Sequence, residues 1–250
     1  MKKILVVLVL IGMAAAPFNA GAEVEKSASA SAAFMSHYAW RGQRLSDGFV
    51  IQPSVGVTYG GFGANLWANW DDNTNSLTTA GVTETDLTLN YTFGVDKFSF
   101  DAGYIYYAFP GGSDTQEIYL TVSYDTVLSP SATLYVDFDQ GDGAFLVASI
   151  GHSFEFAEKY ALNLGASASV NFDNSVMGTD AAGNDFSDLY NGELSASVSI
   201  PITDALSIEP VIAATFALSD DAENAIMNLD ATGKAKDSFV YGGLNVTLSF

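Results

Sequence analysis

Apolar residues recur at every second position along most of the chain, which is the period of an extended strand and not of a helix. Twelve runs carry the pattern, at 28–34, 51–59, 62–70, 87–93, 98–106, 118–124, 132–138, 146–154, 160–172, 194–200, 206–218 and 240–250. In the last of them Val240, Gly242, Leu244, Val246, Leu248 and Phe250 share one parity, and Tyr241, Gly243, Asn245, Thr247 and Ser249 take the other. A soluble domain seldom ends on an unbroken apolar stripe. A strand whose outer face meets lipid and whose last ring sits at the membrane interface does so for a reason.

The connections alternate in length. Those at 37–47, 71–84, 109–115, 173–188 and 219–236 are long, and those near 60, 95, 127, 157 and 203 are short, with 139–143 a short member of the long set. Even strand number, long loops on one side and tight turns on the other predict an all-β fold, a transmembrane antiparallel up-and-down β-barrel of about 12 strands. Tyr59, Phe62, Tyr91, Phe93, Phe98, Tyr124, Phe154, Tyr160 and Phe250 fall at the predicted periplasmic ends. Trp40, Trp70, Tyr106, Phe138, Phe172 and Phe216 fall at the predicted outer ends, which gives two aromatic girdles. Pro53 and Pro210 lie inside runs, where each removes a ladder donor and calls for a bulge or thinned pairing.

The first residues modify this picture. Lys2 and Lys3, an apolar run over 4–16 and the small residues Ala20, Gly21 and Ala22 read as a cleaved signal peptide over 1–22, leaving 23–250 as one barrel domain. No other window holds the roughly 18 consecutive apolar residues of a membrane helix, so strands must do any spanning. The chain has no cysteine, hence no disulfide and no thiolate chemistry. Beyond residue 22 it carries 7 basic against 29 acidic residues, a balance that excludes nucleic acid as a partner and attracts cations.

Charge also says which face is which. Asp86, Asp101, Glu117, Asp137, Glu193 and Glu209 all take the parity opposite the apolar stripe of their runs. A carboxylate facing hydrocarbon is costly, so that parity is the lumen, and an acidic lumen favours cations. His37 and Arg41 project inward if the first strand keeps its phase, and Arg41 then pins a loop or narrows the pore by pairing with carboxylates.

The stretch Ser36-His37-Tyr38-Ala39-Trp40-Arg41-Gly42-Gln43-Arg44-Leu45-Ser46-Asp47, with residues 53–57 and 63–69 after it, resembles the start of the TorF-type porin family of Gram-negative bacteria. Tyr38, Trp40, Arg41, Gly42 and Ser46 carry the resemblance. It implies the outer membrane and a channel role, without a substrate. The terminal Phe250 resembles the aromatic residue by which the barrel-assembly machinery recognises its clients.

Enzymatic and metal readings are weak. His152 and Ser153 are neighbours in a strand and point to opposite faces, so they do not make a nucleophile and base, and no catalytic residue is assigned. Asp71, Asn73 and Asn75 have the spacing of the first calcium-loop ligands, but the required Gly and closing Glu are missing. No cofactor motif is present. The expected function is a porin-like channel for passive diffusion of small solutes, cation-preferring, in contact with outer-membrane lipid and lipopolysaccharide. The alternative is a non-conducting structural or partner-binding barrel.

Overall fold

The computed structural model of the chain describes residues 26–46, 48–72, 80–157 and 159–250. The expected signal peptide and residues 73 and 75 lie outside them. The strands are β1 (Lys26–Met35), β2 (Ala39–Trp40), β3 (Gln43–Arg44), β4 (Val50–Tyr59), β5 (Phe62–Asp71), β6 (Gly81–Val95) and β7 (Phe98–Ala108). They continue as β8 (Thr115–Tyr124), β9 (Ser131–Asp137), β10 (Ala144–Phe156), β11 (Tyr160–Phe172), β12 (Ser187–Pro201), β13 (Leu206–Ala217) and β14 (Ser238–Ser249). Helix α1 (Asp220–Leu229) lies between β13 and β14.

Twelve of these strands, all but β2 and β3, form one closed antiparallel barrel in sequence order. Closure is made by β1 against β14, with Ala30 opposite Leu248, Ala32 opposite Val246 and Phe34 opposite Leu244. Ala28 and Phe250 exchange backbone hydrogen bonds of 3.1 and 2.9 Å at the end of the seam. At the other end Gly243 faces Met35 so closely that a Cβ there would sit 2.0 Å from the Phe34 carbonyl oxygen, and only glycine fits.

The outward parity is apolar and exposed. Val55, Leu66, Leu194, Ile212 and Val240 are each more than half exposed, an apolar belt too broad for a surface that meets water. At the short-turn end its rim is ring against ring, with centroids 4.6 Å apart for Phe62 and Tyr91, 5.0 Å for Phe93 and Phe100, and 4.8 Å for Phe98 and Tyr124.

The two prolines are accommodated by gaps in a single ladder. Pro53 pairs with Ala32 of β1, while pairing to β5 skips from Ile51 to Ser54 without a change of register. Pro210 pairs with Leu244 of β14, and pairing to β12 skips from Ile208 to Val211. Each strand keeps one intact neighbour across the missing donor, and neither proline needs a bulge. The bulges lie instead near Asn69 in β5 and Ala168 in β11, both toward the long-loop end.

The long loops differ from a simple outward set. Of the 37–47 connection, residues 38–46 turn inward: β2 and β3 form a hairpin inside the barrel, burying Gln43 and Arg44. Trp40 therefore belongs to the interior and not to the outer girdle. The 71–84 segment is partly strand, since β6 starts at Gly81 and sets Glu84 within the wall. The polar 219–236 stretch contains α1, capped by Ser219, whose side chain accepts from the Ala222 amide. Its Ala222, Ala225 and Ile226 pack with Phe145, Met177, Phe186 and Tyr190, and Trp40 rests on the same cluster. A second cluster of Met35, Tyr38 and Val50 holds the base of the hairpin against Trp67 and Tyr241. The apolar core of this molecule is thus a plug in the long-loop half.

Candidate functional site at the outer mouth

The plug begins with a turn. Arg41 at φ 47° and Gly42 at φ 83° are both left-handed, the geometry of a two-residue hairpin turn whose twist matches its strands. An L residue is disfavoured there, so the Arg41 contacts must offset the strain. A Cβ on Gly42 would lie 2.7 Å from the Asn191 Cβ of the wall, which fixes glycine at the second position twice over. Below the turn the Tyr38 amide donates to Ser46 Oγ at 2.8 Å, and the Leu45 amide to the Tyr38 carbonyl at 2.8 Å. Tyr38, Trp40, Arg41, Gly42 and Ser46 are thus parts of one hairpin.

Arg41 reaches across to β8. Its Nη1 and Nη2 donate to Glu117 Oε1 and Oε2, both at 2.7 Å. The rings of Trp40, Tyr135 and Phe145 surround the guanidinium at 4.6, 4.2 and 4.9 Å. Glu117 also accepts from the Tyr107 hydroxyl at 2.8 Å and is 1% exposed. Bidentate geometry, aromatic faces and near-complete burial make this a fixed strut and not a surface pair.

A second strut secures the other strand of the hairpin. Arg44 donates to both oxygens of Asp230, at 3.0 and 2.5 Å, and to Thr232 Oγ1 at 2.6 Å. Its carbonyl accepts from the Ala231 amide at 3.0 Å. Hairpin and helical loop are therefore joined to each other as well as to the wall. Sequence reading missed Arg44, Glu84 and α1. Ser219 before two acids, followed by apolar residues at 222, 225, 226 and 229, was the legible helix signal.

The acids divide by depth. Asp137 is buried and accepts from Thr115 Oγ1 at 2.7 Å and from the Asp139 amide at 2.8 Å. Asp101 accepts from Asn90, Thr92 and Tyr119 at 2.6, 2.6 and 2.7 Å. Glu193 accepts from the Tyr241 hydroxyl at 2.9 Å, and Glu209 from Ser197 and Asn163. Asp86 keeps one buried carboxylate oxygen, Oδ1, with no hydrogen-bond partner. His37 sits beyond the end of β1, half-buried and edge-on to Phe239 at 6.4 Å.

Toward the short turns the inward positions change character. Ser29, Ser31, Ser54, Gly56, Thr121, Thr133, Ser131, Ser149, Ser167 and Ser195 are small and partly open to solvent. The interior is therefore asymmetric, with small, partly exposed polar side chains below and a packed, charged, aromatic constriction above. His152 lies on the outer parity with Nδ1 2.6 Å from the Val127 carbonyl oxygen and its ring 4.4 Å from that of Phe154, in the rim near a short turn. Among the described residues no group of three or more His, Asp or Glu is placed to hold a metal ion.

A closed twelve-stranded antiparallel barrel with an apolar belt, aromatic rims and a polar interior is a bacterial outer-membrane barrel. Solved outer-membrane channels share the fold. The KdgM porin superposes with a TM-score of 0.57 at 14% identity, covering 89% of this chain and 99% of that one. The same porin in complex with disordered oligogalacturonate gives 0.55 at 13% identity over 90% and 99%. An outer membrane channel from Pseudomonas putida F1 gives 0.51 at 9% identity over 94% and 99%. No protein-family model matches the sequence, and no curated protein does.

Proposed function

We propose that this barrel is a porin-like channel that passes small solutes by diffusion and prefers cations. The observation that carries the reading is the sign of the interior. Glu84, Asp86, Asp101, Glu117, Asp137, Glu193 and Glu209 face inward, and Arg41 stands among them already neutralised by Glu117. Carboxylates in a narrow low-dielectric passage concentrate counter-ions and repel anions. The oligogalacturonate bound by the KdgM porin is a polyanion, and this interior is unsuited to such a solute. The resemblance of the hairpin residues to the TorF-type porins supports the same role.

In planar bilayers the purified protein should give cation-preferring steps. Asp101, Glu193 and Glu209 are only partly buried, whereas Glu117 and Asp137 are fully buried and committed to packing, so the test belongs to the first three. Combining D101N, E193Q and E209Q should lower the cation-to-anion permeability ratio several-fold. Silent bilayers at high protein loading would remove the channel claim and leave the barrel.

One observation favours a second reading, a non-conducting barrel that presents its loops to a partner. The outer half is filled by the hairpin, α1 and their core. If conductance appears only after the struts are removed, this reading gains.

Outer-membrane lipid around the belt, lipopolysaccharide around the loops and the barrel-assembly machinery at Phe250 are the partners that this reading proposes. Phe250 has an exposed side chain and a backbone bonded both ways to Ala28. Its deletion should reduce the yield of heat-modifiable barrel in the outer membrane while leaving the conductance of the assembled fraction unchanged. Normal assembly would show that Phe250 is no address.

A further inference from the structure

Beside the Arg41–Glu117 strut the outer mouth holds a cavity of 200 Å³. Drug-sized ligands occupy roughly 300–1,000 Å³, so its occupant is smaller. Its wall is mostly apolar, with Trp40, Tyr107 and Phe109 on it, and its polar groups include Gln43, Glu84 and Glu117.

The two carboxylates differ. Glu117 is saturated by the Arg41 fork and the Tyr107 hydroxyl. Glu84, 4% exposed, has as its neighbours the Tyr38 hydroxyl and the Asp86 carboxyl, neither of them a cation. Asp86, two residues along the same face, holds the Oδ1 that has no partner. The basic side chains of the hairpin are spent elsewhere, Arg41 on Glu117 and Arg44 on Asp230. The cavity thus joins aromatic rings to a buried acid whose hydrogen-bond neighbours, Tyr38 and Asp86, carry no positive charge.

We propose that this cavity is a binding station for a small organic ammonium ion. Aromatic faces attract a cation through their quadrupoles, more strongly once it is desolvated, and retain its alkyl groups by burial. A bare metal ion would forgo the apolar wall. A neutral sugar would leave the charge of the hydrogen-bonded Glu84–Asp86 pair unanswered, and an anion would be repelled by it. As a station on a path the proposal rests on the channel reading; as a site it does not.

The test is a binding measurement on the detergent-folded barrel that needs no current. Trp40 lies in the wall, so its fluorescence reports occupancy once Trp67 and Trp70 have been changed to Phe. Tetramethylammonium should produce a saturable change, and glucose and galacturonate at equal concentrations should not. E84Q and F109A should each weaken the tetramethylammonium response at least tenfold. Phe109 lies in a loop outside the strands, so F109A keeps the test sound if E84Q disturbs packing. No saturable response, a response indifferent to both substitutions, or an equal response to glucose or galacturonate would overturn the proposal. Binding in a barrel that does not conduct would sustain the site and remove the channel. Conductance without binding would do the reverse.

Discussion

Replacing Arg41 by Ala should unseat the hairpin, leave the barrel standing and raise the single-channel conductance several-fold. The side chain offsets the left-handed backbone at its own position, fills the space between three rings and is the cationic partner of Glu117. Without it a carboxylate that is 1% exposed loses its cation. Breaking a buried pair from one side costs about 3–5 kcal/mol, because the surviving charge is stranded. The barrel need not bear that cost, since its twelve ladders close without β2 and β3. The plug can bear it by moving out and hydrating Glu117.

Chymotrypsin should then cut at Tyr38 or Trp40, which the folded plug protects, and cation preference should rise as the lumen loses a positive charge. R41K keeps the charge but not the fork and should fall between. Adding E117Q to R41A removes the stranded charge and should restore part of the protection. Unchanged conductance together with unchanged protection in R41A would show that the strut does not hold the plug.

Why this much could be read from the sequence, and no more, follows from what each feature depends on. Strand count, closure and the inward parity of the acids depend on a period of two and on the cost of charge in hydrocarbon, both local properties of the chain. The seam between β1 and β14 followed because a barrel of that many runs has to pair its first strand with its last. The path of 37–47 was a different kind of fact. Arg41 and Gly42 announce a turn, but whether it hangs outside or folds within depends on Glu117, 76 residues away, and on Asn191, against which Gly42 packs. Glu84 was read as loop because Gly81 and the alternation after it are short and polar, and its strand is fixed by pairing with β5. Arg44 had no local signal that it would find Asp230.

The second strut should open with acid, and the direction follows from Asp230. Burial pushes its carboxyl up, but Arg44 and hydrogen bonds from Thr232 and the Lys236 amide outweigh that and hold it at about 2. An aspartate freed from such partners titrates near 3.9. Because the value is depressed in the closed state, the strut contributes fully above pH 4 and is lost as pH falls through 2. D230N imitates the protonated side chain at any pH, stranding an Arg44 that is 5% exposed. Taking about 3 kcal/mol for such a loss, the open fraction rises more than about a hundredfold. Trypsin reads this directly, since Arg44 is a cleavage site that the closed plug hides. The unchanged protein should resist cleavage after Arg44 at pH 8, and D230N should be cut there with its barrel intact. Conductance of the unchanged protein should step up between pH 4 and 2, while that of D230N should already be high at pH 7 and change little over the same interval. If D230N resists trypsin as well as its parent does, then Arg44 is held by the hairpin and the aromatic wall alone, and Asp230 is no latch.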